Sequence, residues 1–173
     1  MLGLGRRLLK CQANRGPRHA GRATADGIHH DESRALSRQA VIDLKLGPDQ
    51  KDLVASNAES LAEAQHDRGA RPRAIYAGEQ LVGFLMYDAG RVEDDPREAL
   101  IYRFMIDRNY QGYGFGRAAL GRALEEIRAF VGVSKIFISY MPDNPVAKPF
   151  YASFGFNEIG ADEDGEMIAE LTL

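Results

Sequence analysis

The hydrophobic and polar positions of this chain follow two periods, one typical of helices and one typical of strands. Val41 and Leu44 lie at helical spacing in the first predicted helix, 33–47. Gly132 ends the apolar stripe of the third predicted helix, 116–131. In the second, which is rich in Ala and Glu, Asn57 and Ser60 are the candidate caps. The predicted helices cover 33–47, 55–67, 116–131 and 143–156.

Runs rich in β-branched and aromatic residues predict strands between these helices. The first two runs meet at a tight Gly-Glu turn, which predicts an antiparallel hairpin, and the third is apolar enough for a central strand. Two short strands close the chain. The elements follow the order ααββ–β–α–β–α–ββ, which indicates an α/β fold. The four longer strands are predicted at 72–78, 80–88, 99–107 and 135–141.

The charge of the chain is unevenly distributed. Residues 1–30 hold six basic side chains and one acidic one, a net of +5, so the other 143 residues hold 16 basic and 24 acidic groups, a net of −8. We expect 1–32 to be a basic, disordered and functionally silent extension, and 33–173 to form one domain. The alternatives for the extension are a transit peptide, or residues added by an upstream start codon or altered reading frame.

An acidic body argues against a nucleic-acid partner. It favours a small cationic partner through electrostatic steering, although the plainer interpretation of the charge is solubility. No apolar run reaches the roughly 20 residues of a membrane helix, so no membrane partner is expected. The single Cys11 excludes an intramolecular disulfide and favours a reducing, cytoplasmic location. No metal is expected, because no further ligand at suitable spacing follows His29 and His30.

The stretch RNYQGYGFGRAAL, residues 108–120, places three glycines just before a predicted helix. Unpaired N–H groups at a helix N-terminus attract anions, and glycines let a ligand reach them, so the stretch predicts a phosphate cradle rather than a simple turn. A P-loop requires Gly-Lys-Ser/Thr, but Arg117 and Ala118 follow here. Gly114, Gly116 and Ala119 fit a dinucleotide site, but too little chain follows and no acidic residue ends the next strand. The third option is a Q-x-x-G-x-G loop that holds the pyrophosphate of coenzyme A.

Two motifs in succession resemble one family. Residues 111–116, QGYGFG, match the Q/R-x-x-G-x-G/A loop of the GCN5-related N-acetyltransferase (GNAT) superfamily. From about residue 34 to the end, the chain is similar to the bacterial spermine/spermidine (diamine) acetyltransferase branch, through DLKLGPDQKDLVASNAESLAEA, VGFLMYD and YRFMIDRNYQGYGFGRAAL. The second motif, N-x-x-A-x-x-x-Y-x-x-x-G-F, matches at Asn144, Ala147, Tyr151, Gly155 and Phe156.

The resemblance implies the GNAT acyl-CoA N-acyltransferase fold, an α/β fold with a mixed sheet in which acetyl-CoA is held between two splayed central strands. It implies direct transfer of the acetyl group to a primary amine in a ternary complex, with a polyamine such as spermidine or spermine as the favoured acceptor. The backbone of Met105 and Ile106 would pair with the pantetheine arm, and the Ile106 N–H would serve as an oxyanion hole. Asn144 would contact the arm, and Tyr151 would protonate the departing thiolate. The pyrophosphate cradle would comprise Gln111, Gly112, Tyr113, Gly114, Phe115, Gly116 and Arg117.

The base that removes a proton from the amine is not identified by the sequence. Glu98 is the first candidate, and Glu158 and Glu166 are the others; Tyr102 sits where relatives place a carboxylate base and would need a water relay. The acidic residues of 93–98 either contact the substrate or are simply solvated. Tyr151 stands among phenylalanines, so its alternative role is core packing.

Two departures from the family pattern affect these expectations. The family opens with a strand, but GIHHDESRAL has poor strand character, so we expect that strand to be missing or distorted and a sheet edge to be uncovered. Pro149, fifth in the predicted last helix, is expected to remove a backbone bond and bend the helix before Tyr151. If these changes spoil the site, the chain is a catalytically silent CoA-binding module. Within the fold, the alternative acceptors are an antibiotic, an amino acid or a protein N-terminus. Relatives often form dimers, so a homodimer is expected.

Overall fold

The computed structural model describes residues 27–31, 38–48, 50, 55–89 and 95–173. A seven-stranded sheet with the strand order β1-β2-β3-β4-β5-β7-β6 forms the centre of this part of the chain. All neighbouring strands are antiparallel except β4 and β5, so the sheet is mixed as predicted. The strands are β1 Ile28–Asp31, β2 Arg71–Ala77, β3 Gln80–Ala89, β4 Glu98–Ile106, β5 Lys135–Tyr140, β6 Asn157–Ala161 and β7 Met167–Thr172. The helices are α1 Arg38–Asp43, α2 Asn57–His66, α3 Phe115–Arg128 and α4 Ala147–Ala152.

Strand β1 shows that the expectation of a missing first strand was wrong. It pairs with β2 from Ile28 opposite Ala77 to Asp31 opposite Ala74, and so covers that edge of β2. Intrinsic strand propensity is weak in this stretch, but backbone pairing and the burial of Ile28 in the core outweigh it. The sheet thus includes four residues that the sequence assigned to the N-terminal extension. The division at residue 32 stays a prediction, because 1–26 and 32–37 lie outside the described residues.

Helix α2 begins at a cap that differs from both predicted ones. The Ser56 hydroxyl accepts from the Glu59 N–H at 3.2 Å, and the Glu59 carboxylate accepts from the Ser56 N–H at 3.0 Å. This is a capping box, whose Ser-x-x-Glu pattern is readable in the sequence. Asn57 instead donates to the Val41 carbonyl at 2.7 Å and so ties α2 to α1, while Ser60 lies inside the helix.

Helix α4 starts at Ala147, with Val146 as its N-cap, and so begins later than the predicted helix over 143–156. The Asn144 side chain accepts from the Val146 N–H at 3.1 Å and closes a turn before the helix. Pro149 is therefore the third helical residue, in the first turn, where a backbone N–H has no partner within the helix. The predicted loss of a helical bond at Pro149 was wrong, since Phe150 N–H donates to Val146 and Ser153 N–H donates to Pro149.

The sheet separates two apolar layers. One layer packs β-strand residues against α3 and α4, with Leu120 and Ile127 fully buried. The other packs against α1 and α2, where Val41 and Leu61 are buried with Phe84. Burial of each such side chain contributes about 1.5–3 kcal/mol, so both faces hold the sheet in place.

Strands β4 and β5 pair over only part of their length. Their parallel ladder runs from Glu98 opposite Lys135 to Ile101 opposite Ile138, and β4 then continues for five more residues. At this point β4 carries one extra residue, Tyr102, relative to β3. Such a bulge twists and bends a strand, which explains why β4 leaves β5 there. The opening that results is the splay that the family resemblance implied.

Candidate active site

The backbone of Ile106 faces the opening between β4 and β5. The next N–H, that of Asp107, donates to the Val82 carbonyl on β3 at 2.9 Å. The Ile106 carbonyl accepts instead from the Gln111 side chain at 2.9 Å. Because successive backbone groups of a strand face opposite edges, the Ile106 N–H points away from β3 and into the opening. This is the orientation that the predicted oxyanion-hole role requires.

The same alternation turns the backbone of Met105 toward β3. A Cβ on Gly83 of β3 would lie 2.5 Å from the Met105 carbonyl oxygen, and the Met105 sulfur accepts from Asn57 on α2 at 3.8 Å. The backbone groups of Phe104, two residues before Ile106, face the opening between β4 and β5 as those of Ile106 do. Phe104 therefore replaces Met105 in our prediction of the backbone that meets the pantetheine arm. Sequence reasoning missed Phe104 because facing depends on the partner strand.

The glycine loop leaves the N-terminus of α3 open. Gly112 and Gly114 have φ values of 83° and 86°, a left-handed conformation that favours glycine. Gly114 is the N-cap of the 14-residue helix α3, and no side chain caps that end. A Cβ at Gly114 would meet nothing within 4 Å. Backbone N–H groups at such an end suit the pyrophosphate of acetyl-CoA, so the described residues fit this co-substrate.

Gln111 holds the loop in place rather than presenting its side chain to a phosphate. Its amide nitrogen donates to the Ile106 carbonyl and, at 3.0 Å, to Gln50. Asp107 adds a second tie, since its carboxylate accepts from the Lys45 N–H at 2.7 Å. Together these contacts join the cradle to the segment that follows α1. Sequence reasoning missed Gln50 and Asp107, because both act through contacts about 60 residues apart in the chain.

Aromatic contacts surround the other predicted cofactor residues. Arg117, at the exposed start of α3, donates to the Ser153 hydroxyl at 2.6 Å and stands 4.9 Å from the centre of the Phe154 ring. The Tyr113 and Phe115 rings stack at 6.0 Å on the loop itself. Gly116 lies in the first turn of α3, where a Cβ would be in ordinary contact with its neighbours. The loop and the end of α4 are thereby connected.

Tyr151 is fully buried on the α3 side of the sheet. Its ring centre is 5.5 Å from that of Tyr140 and 5.2 Å from that of Phe150. Tyr140 follows the last β5 residue that pairs with β4, so Tyr151 packs beside the diverging part of β5. Asn144, 6% exposed, lies in the turn between β5 and α4. The roles of Tyr151 in proton transfer and of Asn144 in cofactor contact stay predictions.

The candidate bases lie in three different places. Glu98 is eight residues from Ile106 along β4, about 26 Å for an extended strand, at the end where β4 and β5 still pair. Burial and the charge of Asp95 raise the pKa of Glu98. Glu158 accepts from Lys148 and from the Tyr140 hydroxyl, and both hydrogen bonds lower its pKa. The structure thus does not bring Glu98 together with the other site residues.

Glu166 is the candidate base that lies beside the opening. It is 2% exposed and accepts from the Ser139 hydroxyl at 2.9 Å. Ser139 is the first β5 residue after the last pair with β4. Glu166 also acts through its charge on Arg103, which lies on the α2 side of the sheet. The hydrogen bond from Ser139 and this interaction place the Glu166 carboxylate on that side.

The acidic loop before β4 is only partly described. Asp95 pairs with Arg97 at 2.6 Å, and hydrogen bonds from Arg97 lower the pKa of Asp95 to about 2. Glu93 and Asp94 lie outside the described residues, so substrate contact by this loop stays a prediction. In the described ranges, no helix is long and apolar enough to cross a membrane, and no three His, Cys, Asp or Glu side chains are grouped to hold a metal ion.

Known proteins are similar to this chain in sequence and in fold. The model of a family described as "Acetyltransferase (GNAT) family" matches residues 38–156. The chain is 30% identical over 141 residues to the spermine/spermidine N(1)-acetyltransferase of Bacillus subtilis (strain 168), which covers 78% of this chain and 93% of that protein. It is 31% identical over 118 residues to N-alpha-acetyltransferase RimI of Mycobacterium tuberculosis, 68% of each chain. The crystal structure of spermidine N-acetyltransferase from Vibrio cholerae, in complex with CoA and spermine, has a TM-score of 0.65 at 18% identity, over 86% of this chain and 95% of that one.

Proposed function

The chain belongs to the acetyltransferase (GNAT) family, and we propose that it transfers the acetyl group of acetyl-CoA to a primary amine of a polyamine such as spermidine or spermine. The observation that carries the transfer is the Ile106 N–H, which faces the opening of the sheet a few residues from an uncapped helix N-terminus. The identity to a spermine/spermidine acetyltransferase and the acidic body of the chain support a polyamine acceptor.

The proposed chemistry assigns one task to each group. Acetyl-CoA supplies an acetyl thioester when bound. The amine nitrogen bonds to the thioester carbon as the carbon–sulfur bond breaks. The nitrogen gives up one proton to become an amide and the sulfur takes up one proton, so coenzyme A leaves as a thiol. The Ile106 N–H stabilises the negative charge on the carbonyl oxygen, and Tyr151 donates the proton to sulfur.

The incoming amine must be neutral before it attacks. Of the three candidate bases, Glu166 has the position that best supports this role, because it is a buried carboxylate beside the opening. Glu158 is paired with a lysine and its pKa is lowered, which makes it a weak base. Glu98 lies at the far end of β4.

A second candidate function is acetylation of a protein N-terminus. It is favoured by the 31% identity to an N-alpha-acetyltransferase over two thirds of the chain. The fold and the mechanism are the same in both cases, and only the acceptor differs. The two candidates therefore require an experiment that compares acceptors directly.

The test is the release of CoA thiol from acetyl-CoA, followed with a thiol reagent. The acceptors are spermidine, spermine, putrescine, lysine, an aminoglycoside and a short peptide with a free N-terminus. Turnover with the polyamines alone is the expected result. Turnover only with another amine would retain the acetyl transfer and overturn the polyamine proposal. Tight binding of acetyl-CoA with no turnover on any acceptor would instead indicate a catalytically silent CoA-binding module.

A further inference from the structure

The bulge in β4 places two consecutive side chains on the same face of the sheet. Tyr102 packs in the apolar layer beneath α1 and α2, while the next residue, Arg103, donates to Ser60 of α2 at 2.8 Å. Phe104 then returns to the α3 side. In a regular strand Tyr102 and Arg103 would face opposite sides, so the bulge is what brings a phenol and a guanidinium together under α2.

The hydroxyl of Tyr102 is buried without a hydrogen bond. The residue is 2% exposed, and no described residue donates to or accepts from its oxygen. Nearly all buried hydroxyls in folded proteins have a partner, and one that does not destabilises the fold. An unpartnered phenol next to the opening of the sheet therefore points to a ligand that supplies the missing partner.

Three carboxylates, those of Asp88, Glu63 and Asp67, act on this hydroxyl through their charge. Asp88 of β3 lies opposite Leu100, on the same face as Tyr102, and its carboxylate packs directly on Gly69, where a Cβ would stand 2.7 Å from Oδ1. Glu63, near the end of α2, and Asp67, just after it, are partly exposed. Within the described residues, two buried members of this group, Tyr102 and Asp88, are thus accompanied by two partly exposed carboxylates.

The charges that face Tyr102 leave an excess of negative charge. Burial raises the pKa of Tyr102, and the charges of Asp67, Glu63 and Asp88 raise it further, while Arg103 opposes them. Of the charged groups that act on Tyr102, three are carboxylates and one is a guanidinium, that of Arg103, which is paired with Glu63 at 3.0 Å. The phenol therefore stays protonated and neutral, with its oxygen available as an acceptor.

We propose that Tyr102, Asp88, Asp67 and Glu63, the acidic pocket, bind an ammonium group of the acceptor other than the nitrogen that is acetylated. An ammonium has three donors and no acceptor, which matches a phenol oxygen and carboxylates. The pocket selects acceptors that carry at least two positive charges over monoamines. This inference rests on the proposed function, because it assigns the specificity of the same site.

The first test compares Tyr102→Phe with Tyr87→Phe. Tyr87 is equally buried but faces α3, and its hydroxyl accepts from Arg73 at 3.2 Å. Tyr102→Phe removes an oxygen that has no hydrogen-bond partner among the described residues, so its thermal midpoint is expected to stay the same or rise, while the KM for spermidine increases about fivefold. Tyr87→Phe is expected to lower the midpoint and leave that KM unchanged. An unchanged KM in Tyr102→Phe would overturn the proposal.

The second test removes a charge and separates this inference from the proposed function. Asp88→Asn preserves the shape of the side chain, and Glu125→Gln makes the same charge change on the exposed side of α3. Spermidine is titrated calorimetrically into each protein saturated with CoA, alongside turnover of spermidine and of butylamine. We expect spermidine affinity to fall about tenfold in Asp88→Asn and to stay at the wild-type value in Glu125→Gln, and we expect the preference for spermidine over butylamine to fall in Asp88→Asn alone.

Each outcome of this titration decides one of the two questions. One outcome is that spermidine binds to the wild type but not to Asp88→Asn, and no polyamine is turned over. This result would support the acidic pocket and overturn the proposed function. Equal spermidine affinity in Asp88→Asn and the wild type would overturn the pocket, whichever amine is acetylated. A thermal midpoint measured for each variant confirms that the comparison is between folded proteins.

Discussion

The side-chain amide of Gln111 donates to the main-chain carbonyl of Ile106 at 2.9 Å, and the same nitrogen donates to Gln50 at 3.0 Å. This contact fixes the end of β4 against the loop that leads to α3. It links the N–H that faces the opening of the sheet to the glycine loop that precedes α3. The two ends of the predicted acetyl-CoA site are therefore held as one unit by a single side chain.

Gln111→Ala is expected to lower kcat/KM for acetyl-CoA about tenfold. The substitution removes the hydrogen bond to Ile106 and two hydrogen bonds with Gln50, each worth about 1 kcal/mol, and leaves the Ile106 carbonyl without its donor. Gln80→Ala, in the exposed β2–β3 turn, is the matched control, since its side chain donates only to the neighbouring Leu81 carbonyl. Steady-state kinetics with varied acetyl-CoA make the comparison. Equal values for the two variants would contradict a positioning role for Gln111.

Tyr151→Phe is expected to lower kcat about 100-fold, because the departing thiolate loses its proton donor. The ring packing is retained, so acetyl-CoA affinity, measured by calorimetry, should stay near the wild-type value. A fall in affinity without a fall in kcat would indicate that Tyr151 only packs against Tyr140 and Phe150. Unchanged turnover would remove Tyr151 from the mechanism.

Glu166→Gln and Glu98→Gln distinguish two candidate bases by the same chemical change. Glu166 lies beside the opening and Glu98 lies at the far end of β4, so only Glu166→Gln is expected to lower kcat, by about 100-fold. The rate of Glu166→Gln should recover as pH rises, because the free amine becomes more abundant without a base. A pH–rate profile of both variants measures this. A loss confined to Glu98→Gln would reverse the assignment.

Gly114→Ala and Gly121→Ala are expected to change stability in opposite directions. Both sites have open space for a Cβ, but Gly114 has φ of +86° whereas Gly121 lies inside α3. Alanine in the left-handed region costs about 1–2 kcal/mol, while replacing a helical glycine contributes about 0.5–1 kcal/mol. Urea denaturation measures both free energies of unfolding. Gly114→Ala should also weaken binding of CoA, since its methyl group stands before the N–H groups of α3.

Asp95 should contribute to stability only above a low pH. Hydrogen bonds from Arg97 lower the pKa of Asp95 to about 2 from its usual value near 4. A lowered pKa in the folded state means that this contribution is complete above about pH 4 and is lost as pH falls toward 2. The thermal midpoints of Asp95→Asn and the wild type should therefore converge between pH 4 and pH 2. A constant difference across that range would contradict the pairing.

Local chemistry in the sequence was sufficient for the elements and for the phosphate cradle. All four predicted helices are present, and the hairpin between β2 and β3 forms at the predicted turn. Gly112 and Gly114 precede α3 as expected, because a left-handed backbone and an uncapped helix end depend on residues that are adjacent in the chain. The two motifs also identified the family correctly.

Contacts between distant residues decided what the sequence left open. β1 forms because it pairs with the edge of β2, although the strand propensity of its own residues is weak. The facing of Phe104, Met105 and Ile106 depends on the register with β3, and the bulge at Tyr102 shifts that register by one residue. Local patterns therefore determine which elements form and where a glycine loop leaves a helix N-terminus open. Only the paired sheet determines which backbone groups and which charges meet at its opening, because register and burial arise when separate strands come together.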